Sequence, residues 1–231
     1  DELQLGRGET AADTARVLSR YVDAILIRTY SHELVKELAA AADVPVINGL
    51  TDLTHPTQAL ADFFTLEEKK GRLAGLKLAY VGDGNNVAHS LLIGAAKLGV
   101  NISLACPPGY EPQGEIVAMA REAAAKSGTA VAVGTDPREA VAGADAVYTD
   151  VWTSMGQEAE SAARRTAFAA YQVNAALMAR AKPDALFLHC LPCHRGEEVT
   201  AEVVDGPQSA VFDEAENRLY AHKAILAAVI R

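Results

Sequence analysis

Four segments of this sequence place reactive side chains beside groups that could steer them. Arg28 ends the apolar run Asp23–Thr29, and a guanidinium there needs a partner. Its planar fork suits an oxyanion such as phosphate, or equally a carboxylate within the protein. His55-Pro56-Thr57-Gln58 sets an imidazole at a helix start and a carboxamide one turn inside, both able to face one opening. A surface His capping the helix is the plainer alternative. Asp150-Val151-Trp152-Thr153-Ser154-Met155-Gly156 begins where a strand ends. A carboxylate, a hydroxyl and free backbone N–H groups so placed can grip the ammonium and carboxylate of an amino acid, because a charged ligand needs both signs answered. Otherwise Asp150 caps a turn and Trp152 fills the core. Glu214-Ala215-Glu216-Asn217-Arg218 opens the last helix. Acidic residues favour that position, but Arg218 opposes the helix dipole and so points to an anion elsewhere.

Two further motifs invite chemistry that their spacing does not support. Gly82-Asp83-Gly84-Asn85-Asn86 follows a strand, as a dinucleotide site at a helix N-terminus would. The third glycine position is Val87, however, and the next strand ends at Cys106-Pro107-Pro108 without an acidic residue for a ribose. That argues against NAD or FAD. A tight turn capped by Asn85, or Asn86 aiming its amide at a small polar ligand, remains. Cys190-Leu191-Pro192-Cys193 is a CxxC flanked by His189 and His194. Zinc would want a second ligand pair, and a redox dithiol belongs at an early helix N-terminus, not in a late Pro-rich loop. No metal and no cofactor is expected.

The elements that must position these residues read as βα units around parallel sheets. Strands are expected at Asp23–Thr29 and Val44–Asn48, with Ser31 capping a helix to about Ala42 and Pro56 opening a long helix that Gly71 ends. A second series runs from Leu76: strands at 76–82, 101–106, 129–134, 145–150 and 184–190, and helices at 85–98, 114–126, from Asp136, at 174–181 and at about 214–230. Residues 157–170 are expected to be mobile. The fold class is α/β: two domains, each a mostly parallel sheet flanked by helices, the second Rossmann-like. The domains are expected at 1–70, ending in the interdomain helix, and 71–213, with helix 214–231 packing back on the first. Ligands of such sheets sit outside the carboxyl ends of the strands, where Arg28, His55, Asn85, Asn86, Asp150 and the His189–His194 loop all fall.

Composition sets the outer bounds. Half of the 231 residues are hydrophobic, 22% are charged and the net charge is −9, so the chain is globular and gives no basic patch for nucleic acid or an anionic membrane. Three cysteines, no secretory leader and no long apolar run suggest a cytoplasmic protein.

Together, the segments at 55–58, 82–86, 150–156, 189–192 and 215–218 resemble the ornithine carbamoyltransferases of the aspartate/ornithine carbamoyltransferase superfamily, in order and spacing over essentially the whole chain. The resemblance implies transfer of a carbamoyl group from carbamoyl phosphate, bound by the first domain, to the δ-amine of L-ornithine, bound by the second. It also implies assembly as homotrimers or multiples of trimers, without metal or cofactor. By motif, Arg28, His55, Gln58 and Arg218 would hold carbamoyl phosphate, and the backbone carbonyls of Cys190 and Leu191 would accept from its amide. Asn86, Asp150, Ser154 and Met155 would hold the α-groups of ornithine, with Cys190 and Asp150 near its δ-amine.

One departure stands out: the family's Ser-x-Arg-Thr phosphate loop does not occur, and Arg164-Arg165-Thr166 lies in the wrong domain. A chain missing its amino-terminal portion is therefore expected to keep the ornithine geometry and to lose most carbamoyl-phosphate affinity and turnover. The alternatives are a carbamoyltransferase for putrescine or an acylated ornithine, a non-catalytic assembly module, and a nucleotide-dependent dehydrogenase.

Overall fold

The computed structural model describes residues 8–154, 156 and 158–230. Two parallel sheets face one another across a gap. The smaller pairs β1 (Ile25–Arg28) with β2 (Val46–Leu50). β2 lies later than expected because Pro45 has no N–H for a ladder: it contributes only its carbonyl, to Ile25 N at 2.8 Å. α1 (Ala11–Leu18), which the sequence expectations did not include, is capped by Thr10 and lies against α2 (His32–Ala41), capped as expected by Ser31.

The larger sheet has the order β5-β4-β3-β6-β7, from β3 (Lys77–Val81), β4 (Asn101–Ala105), β5 (Val131–Gly134), β6 (Ala146–Tyr148) and β7 (Leu186–Leu188). All neighbours are parallel. The winding reverses between β3 and β6, so their carboxyl ends open a crevice that no crossover helix covers. Central β3 is buried on both faces, as a parallel strand between helices should be. One face packs under α3 (Pro56–Lys70), α4 (Asn86–Leu98) and α5 (Gly114–Ser127), with Phe63, Leu91, Leu92 and Ile102 at its centre. The other packs under α6 (Pro137–Val141) and the 3-10 and helical turns that include α8 (Ala175–Met178), around Val147, Phe168 and Phe187.

α3 joins the halves. Pro56 supplies its first turn and Gly71, at φ +71°, ends it in a left-handed cap. Three expectations are corrected beyond it. Residues 161–168 form α7 (Ser161–Phe168), held by the burial of Arg164 and Phe168, rather than a mobile stretch. α9 (Ala201–Val204) was not anticipated. The last helix, α10 (Val211–Val229), starts a turn before Glu214, so Arg218 sits two turns inside and the helix-end argument about its charge does not apply. No described helix is long and apolar enough to cross a membrane.

α3 and α4 approach closely because Gly94 leaves room for the Phe63 ring, which a Cβ at 94 would strike. Gly94→Ala is expected to destabilise the chain by about 1–3 kcal/mol through overpacking, read as a lower denaturant midpoint with an unchanged slope.

Candidate active site

The carboxyl ends of both sheets open onto one cavity of about 750 Å³. Its walls include Arg28, His55, Gln58, Asn86, Asp150, Ser154, Cys190, Leu191 and Arg218. Nine of the ten residues singled out from sequence are thus brought together; the tenth, Met155, lies outside the described residues. Arg28 comes from the end of β1, His55 and Gln58 from the start of α3, and Arg218 from α10. On the opposite side, Asn86 opens α4, Asp150 and Ser154 follow β6, and Cys190 and Leu191 follow β7.

The first turns of α4 clasp the loop that carries His55. Asn86 Nδ2 donates to Thr51 O at 2.6 Å, His89 Nδ1–H donates to Leu53 O at 2.8 Å, and His55 N–H donates to Ser90 Oγ at 2.8 Å. These residues at i, i+3 and i+4 share one helix face, so one edge of α4 fixes the loop. His89 Nε2 in turn accepts from Gln113 N at 3.0 Å, and burial lowers the ring's pKa, in keeping with a neutral ring that uses both nitrogens. Asn85 does two jobs. Its Oδ1 caps α4 at Val87 N and Ala88 N, while its Nδ2 donates to Asp150 Oδ2 at 2.8 Å. The sequence signalled the cap; the bond to Asp150, 65 residues away, it could not.

Asp150 is held on three sides, since Oδ1 also accepts from Val151 N at 2.8 Å and from the Cys190 thiol at 3.2 Å. Burial pushes the Cys190 thiol well up, and the charges of Asp150 and Glu214 push it the same way. Cys190 is therefore a thiol that donates to a carboxylate, not a thiolate. His55 is shifted downward, to about 3, by burial and then by the charges of Arg218, Arg28 and His222. It is a neutral imidazole between two guanidiniums. Gln58 Nε2 is turned away from the cavity, donating to Asp62 Oδ1 at 2.8 Å and Glu214 Oε1 at 3.2 Å.

Sequence reasoning missed Arg164 as a builder of this wall. Its Nε donates to Trp152 O at 2.6 Å, its terminal nitrogen bonds Asp83, and its plane lies 4.8 Å from the Tyr110 ring centroid. Burial raises the pKa of Asp83 even so. Arg164 thus ties the turn after β3 to the loop after β6. Ligand atoms of Asp150, His189 and Cys190 lie within 4.8 Å of one another, a spacing a metal could use. The thiol is engaged with Asp150 and His189 Nδ1 accepts from Leu191 N at 2.9 Å, while His189 Nε2, 3.3 Å from Glu198 Oε1, makes no hydrogen bond.

Fold and cavity define an α/β enzyme whose cleft sets guanidiniums and a neutral imidazole against a carboxylate–thiol pair. The family model "Aspartate/ornithine carbamoyltransferase, Asp/Orn binding domain" matches residues 74–229, and its "carbamoyl-P binding domain" counterpart matches 1–68. The ornithine carbamoyltransferase of Bacillus subtilis (strain 168) is 63% identical over 229 residues, covering 99% of this chain and 72% of that protein. The solved ornithine carbamoyltransferase from Pyrococcus furiosus superposes with a TM-score of 0.96 at 59% identity, covering 99% of this chain and 73% of that one. An acetylornithine transcarbamylase complexed with acetylcitrulline superposes at 0.86 with 34% identity, covering 100% of this chain and 76% of that one. The chain belongs to the aspartate/ornithine carbamoyltransferase family.

A neutral buried His55 has a definite signature. The unfolded chain takes up a proton near pH 6.5, whereas the folded one resists until about 3, so this residue's contribution to stability is lost progressively as pH falls below 6.5. The His55 ring signals in NMR are expected not to move between about pH 5 and 8, and His55→Asn to flatten the acid side of the stability curve. A ring titrating near 6.5 would contradict the geometry. Burial also raises the thiols of Cys106, Cys190 and Cys193. Iodoacetamide alkylation of the folded chain should therefore still be accelerating above about pH 8.5, where an ordinary cysteine levels off.

Proposed function

We infer that the cleft is built to transfer the carbamoyl group of carbamoyl phosphate to the δ-amine of L-ornithine, giving L-citrulline and phosphate in arginine metabolism, with carbamoyl-phosphate affinity and turnover lowered where the Ser-x-Arg-Thr loop is absent. The observation that carries this reading is the convergence of Arg28, His55, Gln58 and Arg218 with Asn86, Asp150, Ser154 and Cys190 around one cavity. Family membership and relatives at 59–64% identity support it. In this reading residues 1–70 form the carbamoyl-phosphate domain and 71–213 the ornithine domain, with 214–231 returning Arg218 to the first. A cytoplasmic homotrimer, or a multiple of trimers, is part of the same proposal.

The chemistry follows from the groups present. Arg28 and Arg218 offer charge to the phosphate and carbonyl oxygens. Neutral His55 donates an N–H to the carbonyl oxygen, where negative charge grows as the amine adds; such donors are worth about 2.7–4 kcal/mol each. Gln58 Oε1 and the carbonyls of Cys190 and Leu191 accept from the carbamoyl amide. Asn86, Asp150, Ser154 and Met155 hold the α-amino and α-carboxylate groups. Ornithine's δ-amine, whose free pKa is near ~10.4 like that of Lys, must shed a proton before it attacks. Asp150, with Cys190 donating to it, is the acceptor placed to manage that proton. The amine nitrogen then bonds to the carbonyl carbon, the bond from that carbon to the phosphate oxygen breaks, and phosphate leaves with the electron pair and takes up the second proton that the amine nitrogen sheds. Holding the two substrates in line supplies about 7–11 kcal/mol more.

Calorimetric titration tests the assignment. A bisubstrate analogue joining a carbamoyl-phosphate mimic to ornithine is expected to bind with heat, and ornithine to bind at least about tenfold more tightly than putrescine, which lacks the α-groups. Preference for putrescine or an acylated ornithine would move the acceptor assignment, and an analogue that releases no heat would leave only an assembly role.

A further inference from the structure

Gln58 enters the chemistry above only through its oxygen, and behind it lie two fully buried carboxyls that the reaction does not use, Asp62 on α3 and Glu214 on α10. Both hydrogens of Gln58 Nε2 go to them, at 2.8 and 3.2 Å, while Gln58 Oε1, buried as well, has no partner within the protein. The two carboxyls are not alike. Glu214 accepts on every side: Oε1 also takes the Tyr148 hydroxyl at 3.2 Å and Oε2 takes His189 N–H at 2.9 Å. Asp62 Oδ2, equally buried, has no hydrogen-bond partner. Around the pair stand the Tyr148 hydroxyl from β6, Arg218 from α10, and Cys190 and Asp150 beyond Tyr148.

We propose that Asp62 and Glu214 act as one positioning pair for Gln58, sharing one proton between them while each accepts from Gln58 Nε2. The carboxamide is thereby locked with its oxygen toward the amide hydrogens of the carbamoyl donor. This rests on the reading of Gln58 given above. Burial raises both carboxyls; their mutual contact then holds Asp62 down, to about 7, and raises Glu214 further. Two buried carboxyls in contact cannot both ionise, so the pair keeps a proton at neutral pH. A flipped Gln58 would set its oxygen against two acceptors and strand its own N–H groups. The lock is also a specificity device, because acetyl phosphate has the shape of carbamoyl phosphate but a methyl where Gln58 Oε1 needs an N–H.

The test compares affinities for carbamoyl phosphate and acetyl phosphate, by calorimetry on the full chain, with infrared spectra at neutral pH. The parent should show the carbonyl stretch of a protonated carboxylic acid, and Asp62→Asn should abolish it. Gln58→Ala, Asp62→Ala and Glu214→Gln are each expected to reduce the preference for carbamoyl phosphate about tenfold. Asp62→Asn, which copies the protonated acid with an N–H at the Oδ2 position, should restore that preference. A band that is absent from the parent or survives Asp62→Asn overturns the pair, as does failure of Asp62→Asn to rescue. If Glu214→Gln does not fold, the band and the Asp62 variants decide alone. If Gln58→Ala leaves the preference intact, the reading of Gln58 falls and the pair with it; if only Gln58→Ala lowers it, the pair falls and the cleft assignment stands.

Discussion

The cleft depends on the return of α10 to α3, and the centre of that contact is polar where water is excluded. Glu214 and Asn217 are buried on the face of α10 that also buries Val211 and Ala221. Asn217 Nδ2 spans Thr65 Oγ1 at 3.0 Å and Glu68 Oε2 at 2.6 Å, while Glu214 meets Gln58, Tyr148 and His189. An apolar seam would tolerate a helix sliding by a turn. This one does not, because each slipped polar group would be buried unpaired at about 1–3 kcal/mol. The register of α10 is fixed in this way, and with it the position of Arg218, the next residue after Asn217.

The same burial sorts the charges around the cavity. His55 is neutral, the Cys190 thiol keeps its proton, and the carboxyls behind Gln58 are driven toward protonation. In a chain of net charge −9, the positive field facing an anionic ligand therefore comes from the guanidiniums Arg28 and Arg218 rather than from imidazolium. A neutral ring between two cations can donate to a developing oxyanion without competing for the phosphate, and it does not change charge near physiological pH.

How much of this was legible in the sequence depended on the range of each interaction. Caps are local, so Ser31, Pro56, Gly71, Asn85, Asp136 and Asn174 marked their helices correctly. The strand ends followed from apolar runs, and because parallel strands present their carboxyl ends together, placing the reactive residues at those ends was enough to predict one cavity. What failed was long-range. The charge and alanine of α7 read as mobility because nothing nearby shows that Arg164 pairs with Asp83, 81 residues earlier. Gln58 was legible as a residue of the cavity wall, but not its bonds to Asp62 and Glu214, since a carboxylate in an amphipathic helix looks the same whether it meets water or another carboxyl.

Arg164 also explains why the two sides of the cleft differ in kind. The side carrying His55 and Gln58 is built on α3, and α4 clasps the loop that leads into it. The side carrying Asp150 and Ser154 is a loop, and Arg164, Asn85 and Cys190 hold it there. The guanidinium lies between Tyr110 and Phe168, 4.8 and 5.5 Å from their ring centroids, and draws Trp152 O and Asp83 together. Removing it would leave Asp83 buried beside Asp150 with no cation, a loss of the order of 3–5 kcal/mol for a broken buried pair. Its structural effect would fall on the turn 82–86 and the loop 150–154 together, because a single side chain joins them. The side carrying Asp150 is thus a unit assembled around one buried cation, while the side carrying His55 is fixed by helix packing, and the width of the cavity between them is set where α4 touches both.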